Sequence, residues 1–317
     1  MIASVTAGGA AVVGLVARLP TATSERVHQT VALMRRRGYA LGPDRLGEVC
    51  LGGALSEADV RWAVAASPAL MLAEGLVVER DAGQHARSIH LRALRHHTDA
   101  PPYIEMTQRF VRVLVSVAPF VRSVSIAGSL ATGGFRASDD VDLNLMVDDG
   151  HRHLAYVAVN VLGLAHAVAH RTKPIDDLTR RPVAPRLMTA NLILERSQCR
   201  PLVRQDEDMA FELLVSQPLF GLDAFNEVID ANPALLDHFP QLGRKSSALV
   251  IEPAPTWRLP AWLFPSRLDG GARLLGETAW RYMQWTRRHK PAALARVAFV
   301  RETMRPYTLF DPLSRSR

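Results

Sequence analysis

The stretch "VSIAGSLATGGFRASDDVDLNLMV", residues 124 to 147, limits the fold of this chain more than any other. Two apolar, strand-like runs are split by Gly128-Ser129, and the second run carries Asp140 and Asp142 one residue apart. Side chains alternate along a strand, so Asp140, Asp142, Asn144 and Met146 share one face while Val141, Leu143, Leu145 and Val147 share the other. One face is core and the other begins as a carboxylate pair, which is costly to desolvate unless something cationic meets it. Positions two apart on a strand lie about 6.5 to 7 Å apart at the backbone, so both carboxylates can converge on one hard cation. Magnesium suits them, because it takes oxygen ligands and keeps waters or phosphates in its remaining positions.

Gly128-Ser129 stands where the first strand turns toward a helix. Glycine lets the backbone come close, and the N–H groups of the turn together with the Ser129 hydroxyl can hold phosphate oxygens. Metal opposite phosphate is the requirement for phosphoryl or nucleotidyl transfer. Gly128, Ser129, Ala131, Gly133, Ser138, Asp140 and Asp142 together resemble the signature of the DNA polymerase β-like nucleotidyltransferase superfamily, a Gly-Ser followed about ten residues later by Asp-x-Asp. The resemblance covers about residues 120 to 200. It implies an α+β fold with a small mixed-sheet nucleotidyltransferase core. It also implies a nucleoside triphosphate held by Gly128, Ser129 and Mg2+ on Asp140 and Asp142, with Arg136 and Lys173 beside it, and release of pyrophosphate as the acceptor attacks.

The pattern departs from the superfamily at one position. A third carboxylate usually stands on a neighbouring strand, and the matching strand here is "LMTANLILE", with Asn191 in its place. An amide can ligate a metal or orient a hydroxyl, but it cannot take a proton as a base. Alternation puts Thr189, Asn191, Ile193 and Glu195 on one face, to which Thr189 and Asn191 give a neutral polar character suited to an anionic acceptor beside Arg171 and Lys173. Glu195, Asp176 and Asp177 are the alternatives for the absent carboxylate. His166 and His170 are spaced four apart on a helix, but with no third ligand nearby they read as a polar helix rim.

The rest of the chain frames this core. Residues 1–22 read as a flexible leader, too short for a membrane span. Residues 23–100 read as a winged-helix-like module, with "ALMLAEGL" in the place of a recognition helix and "LVVERDAGQHARSIHL" as a hairpin around Gly83. That helix offers no Arg, Lys, Asn or Gln to read a base edge, so DNA is not the favoured partner. The net charge of +7 does not change this, because only three lysines contribute and the arginines are scattered from Arg18 to Arg317. Residues 101–200 form the core and 201–317 a C-terminal helical region, including a long helix with Leu274, Trp280 or Tyr282, and Trp285 facing inward. Cys50 and Cys199, far apart, give no disulfide framework, which fits a reducing cytoplasmic setting. The expectation is a metal-dependent nucleotidyltransferase with an unidentified acceptor, and the alternative is a nucleotide-binding regulator contacting DNA or a protein.

Overall fold

Capping chemistry sets the first helices. Helix α1 (Thr23–Arg37) buries Val27, Val31 and Met34 on one stripe and stops at Gly38, whose φ of 79° is left-handed. Helix α2 (Pro43–Glu48) begins on proline, and α3 (Glu57–Ala66) carries the capping box expected from Ser56 and Asp59. The computed structural model describes residues 23–137, 139–169, 175–176, 181–182, 188–243, 245–252, 255–289, 291–303 and 307–310.

The hairpin lies earlier than the sequence suggests. Strands β1 (Leu70–Ala73) and β2 (Leu76–Glu79) pair antiparallel around Glu74-Gly75, whose φ values of 53° and 77° give the paired left-handed turn that matches strand twist. "ALMLAEGL" is therefore the hairpin and not a helix, and the expected turn at Gly83 lies in a 3-10 segment. The helix before the hairpin is α3, whose outer face carries Glu57, Asp59 and an Arg61 bound to Glu57 at 2.7 Å. That acidic face suits phosphates no better than the segment it replaces.

Helix α4 (Ala86–Val117) runs through Pro101 and Pro102, so the division expected at residue 100 falls inside one helix. Its buried and half-buried positions recur at helical spacing, from Ala86 and Ile89 through Ala100 to Thr107, Val111 and Leu114.

The central sheet has the order β7-β4-β3-β8. Strand β3 (Val121–Ala127) leads into the short helix α5 (Gly128–Thr132), and β4 (Val141–Val147) returns antiparallel to β3. Helix α6 (Arg152–Ala169) then crosses over, and a two-residue ladder joins β5 (Ile175–Asp176) and β6 (Arg181–Pro182). Strand β7 (Met188–Glu195) runs parallel to β4. After α7 (Glu207–Val215), β8 (Gln217–Phe220) closes the other edge against β3, so the sheet extends past residue 200, where the core was expected to end. The outcome is an α+β architecture with a small mixed sheet.

Each sheet face has its own core. Val141, Leu143, Leu145 and Val147 pack with α4 and α6 on one side. On the other, Met146, Leu192 and Leu194 share a core with α1–α3, α7 and the helices α8 (Leu222–Asp230) and α9 (Ala234–His238). The N-terminal module is thus one outer layer of the sheet. Helix α10 (Asp269–Arg287) lies on α6, and α11 (Pro291–Thr303) follows it. Asp269 ties this layer down by accepting from the backbone N–H groups of His153 and Leu154, both at 2.8 Å, and pairing with the His153 ring at 2.7 Å. The inward face expected of α10 is corrected: Leu274, Tyr282 and Trp285 are exposed, and Trp280 is half-buried against Phe310. No helix among the described residues is long and apolar enough to cross a membrane.

Candidate functional site

Asp142 sits where the β3–α5 turn meets β4. Its register partner is Ala127, and the next residue, Gly128, takes a left-handed φ of 59°. A Cβ on Gly128 would overlap Asp142 Oδ2 and lie 3.1 Å from both Asp142 Cβ and Cγ. Only glycine lets the carboxylate rest against the turn. From the other side Thr189, opposite Asp142 on β7, donates its hydroxyl to Oδ1 at 2.8 Å. Asp142 is half-buried, and Asp140, just before the strand, is exposed. No side chain caps the start of α5.

Sequence reading passed over Asp139, and the structure gives it a definite role. Its Oδ2 accepts from Ser129 Oγ at 3.3 Å and from the Arg136 backbone N–H at 3.0 Å, and the guanidinium groups of Arg92 and Arg136 lie 3.5 and 3.7 Å from the carboxylate. Asp139 holds the loop between α5 and β4. A hydroxyl has one proton to donate, so Ser129 must exchange Asp139 for a phosphate before it can donate to one. Arg136 likewise faces Asp139, while its Nε is buried without a partner among the described residues.

The third position is built from amides. Asn191 Nδ2 donates to Asn144 Oδ1 at 3.1 Å and to Glu212 Oε1 at 3.0 Å. Asn144 Nδ2 in turn donates to the same Glu212 oxygen at 2.9 Å and to Ser216 Oγ at 3.1 Å. Both amide hydrogens of Asn191 are therefore committed, and an incoming ligand meets only its carbonyl oxygen. This corrects the expectation that Asn191 receives an anion. Glu212, on α7 and 7% exposed, is the carboxylate nearest the third position, and its one sequence signal is an acid between Phe211 and Leu213 on a buried helix face.

A bulge explains the fate of Glu195. The β4–β7 register slips between Leu143 and Asn144, so Ala190 opposes Leu143 while Leu192 opposes Asn144, and Asn191 is the extra residue. One added residue reverses the alternation beyond it. Ile193 and Glu195 therefore lie on the α6 side, where Glu195 accepts from the Gly150 N–H at 2.8 Å, and Glu195 cannot serve the site. Lys173, Arg171, His170 and Asp177 lie outside the described residues; Asp176 is described only as part of β5. His166 sits over Phe110 and Met106.

The donor set can be weighed for a metal. Among the described residues no three His, Cys, Asp or Glu side chains gather as a cage. Asp140 and Asp142 are two hard carboxylates beside a turn, a set that fits Mg2+ when a phosphate supplies further oxygens.

Near this face Lys245 carries a perturbed charge. Its Nζ donates to the carbonyls of Leu214 and Ser216 at the end of α7, and burial pushes its pKa down from 10.5 to about 8. The folded chain thus binds fewer protons here than the unfolded chain between pH 8 and 10.5, and stability at this site rises with pH across that window. Denaturant titrations should show wild type gaining about 3 kcal/mol over Lys245→Met across it. Parallel pH profiles would show that the lysine is not desolvated.

Compared with protein-family models, with curated proteins and with solved structures, the chain matches none.

Proposed function

We propose that this protein is a metal-dependent nucleotidyltransferase that binds a nucleoside triphosphate at the β3–α5 turn and passes its nucleotidyl group to an acceptor. The observation that carries this reading is the contact between Asp142 and Gly128. It sets a carboxylate directly against the backbone turn that would hold phosphate oxygens. Asp140 and Asp142 would hold Mg2+, which would neutralise charge on the phosphates. Thr189 fixes the Asp142 carboxylate, and Asp139 keeps the loop beside it folded. Asn191 provides no base, so the acceptor that fits best arrives with an oxygen already ionised, such as a phosphate or carboxylate.

Calorimetry with ATP and the other triphosphates should show Mg2+-dependent binding that Asp142→Ala weakens at least about 100-fold, the loss of a charge-assisted site. Equal affinity in wild type and variant would remove the assignment. The locked amide of Asn191 favours a second reading, a nucleotide-binding regulator without turnover. Pyrophosphate release across a panel of anionic acceptors separates the two: release establishes transfer, and tight binding without release establishes the regulator.

A further inference from the structure

Between the N-terminal module and the β8 edge lies a cleft of about 890 Å³, within the size range of small-molecule sites. Asp142 is not in its lining, but Ala131 and Thr132 of α5 and the following Gly133 are, and its walls mix polar and apolar groups, with Leu41, Ile89, Phe211, Leu214 and Leu249 among the apolar ones. Three polar groups of the lining are left unsettled by the protein. Lys245 gives two protons to carbonyls and lies 5.9 Å from the Phe225 ring, with no carboxylate paired to it among the described residues. Among the described residues the Tyr39 hydroxyl is buried without a hydrogen-bond partner, and burial raises its pKa so that it stays a donor. Gln241 Oε1 is buried and unpartnered as well, while its Nε2 is fixed on the carbonyls of Glu48 and Cys50 at 3.3 and 2.7 Å.

Buried polar groups in folded proteins are nearly always paired, and leaving one unpaired costs about 1–3 kcal/mol. Three residues of one cleft, two with such atoms and one with a desolvated ammonium, therefore point to a ligand. Among the described residues of the lining Asp44 is the only carboxylate, against Arg45, Arg92 and Lys245. Arg45 and Arg92 already face Glu48 and Asp139, so the uncompensated charge is that of Lys245.

We propose that this cleft binds a small amphipathic organic anion, its carboxylate, sulfonate or phosphate held by Lys245 and its apolar body lying against Leu214, Phe211 and Ile89. The proposal rests on Lys245 and not on the nucleotide reading, although the cleft also reaches the end of α5.

Two dyes with the same aromatic body test it on the full chain: 8-anilinonaphthalene-1-sulfonate and the uncharged N-phenyl-1-naphthylamine. Fluorescence titration should give one sulfonate site, at least about tenfold tighter than the neutral dye. Lys245→Gln, which keeps a donor for the two carbonyls, should bring that ratio close to one while leaving the neutral dye's affinity unchanged and the chain folded. Lys245→Met serves in its place if the glutamine variant does not fold. Equal affinities in wild type overturn the proposal whatever the variants do, and so does a ratio that survives removal of the charge.

Discussion

Asn191→Asp is expected to lower stability at pH 7 by about 3 kcal/mol and to leave turnover at or below the wild-type rate, although it restores the carboxylate that the superfamily pattern calls for. The reason is Glu212. In the wild type its Oε1 accepts from the Asn191 and Asn144 amides at 3.0 and 2.9 Å, so the buried charge is solvated by donors. Aspartate at 191 withdraws one donor and sets a second carboxylate against the first, and two such groups cannot both stay ionised cheaply. One of them keeps a proton, and its folded-state pKa rises above the unfolded value. The penalty is therefore smallest in acid and grows as pH rises toward neutrality. Adding Glu212→Gln reverses the pair, because glutamine then donates to the new aspartate, and stability should return to within about 1 kcal/mol of wild type. Denaturant unfolding of wild type, Asn191→Asp, Glu212→Gln and the double variant at pH 5 and pH 7, with NTP turnover beside it, decides the matter. An Asn191→Asp protein that is as stable as wild type and faster with NTP would show that 191 and 212 do not share a network.

That network marks where sequence reading stops. The strands β3, β4 and β7 were legible because their apolar residues alternate, and the start of α3 was legible from Ser56 with Asp59 three residues on. The hairpin was misread because "LMLA" is a short apolar run that suits helix and strand equally. Only the left-handed pair Glu74-Gly75 resolves it. The bulge at Asn191 leaves no mark in the pattern, yet it decides that Leu192, and not Ile193, follows Asn191 on the site's face. Of the three aspartates at 139, 140 and 142, alternation puts the last two on one side of β4. It could not reveal that Asp139 turns back to its own loop, because that depends on Arg92, 47 residues earlier, and on Ser129. Glu212 comes from a helix with no local link to the strands it serves.

Gly128→Ala should be the most damaging single-methyl change at the site. At a φ of 59° an L-residue costs about 1–2 kcal/mol in backbone strain, and the new methyl must also displace the Asp142 carboxylate, whose Cβ and Cγ would lie 3.1 Å from it. The carboxylate cannot move toward β7 without losing the 2.8 Å bond from Thr189. The expected cost is about 3 kcal/mol of stability, together with loss of Mg2+-dependent NTP binding by at least about 100-fold. The strain and contact terms separate in a double-mutant cycle with Asp142→Ala. Once the carboxylate is gone, Gly128→Ala should cost little more than the strain, so the two changes should couple by about 1–2 kcal/mol. Binding gives the second readout: either single variant should already abolish it, and the double variant should be no worse. Costs that add to within about 0.5 kcal/mol would mean that the turn and the carboxylate act independently, and the contact on which the nucleotide site is built would fall with them.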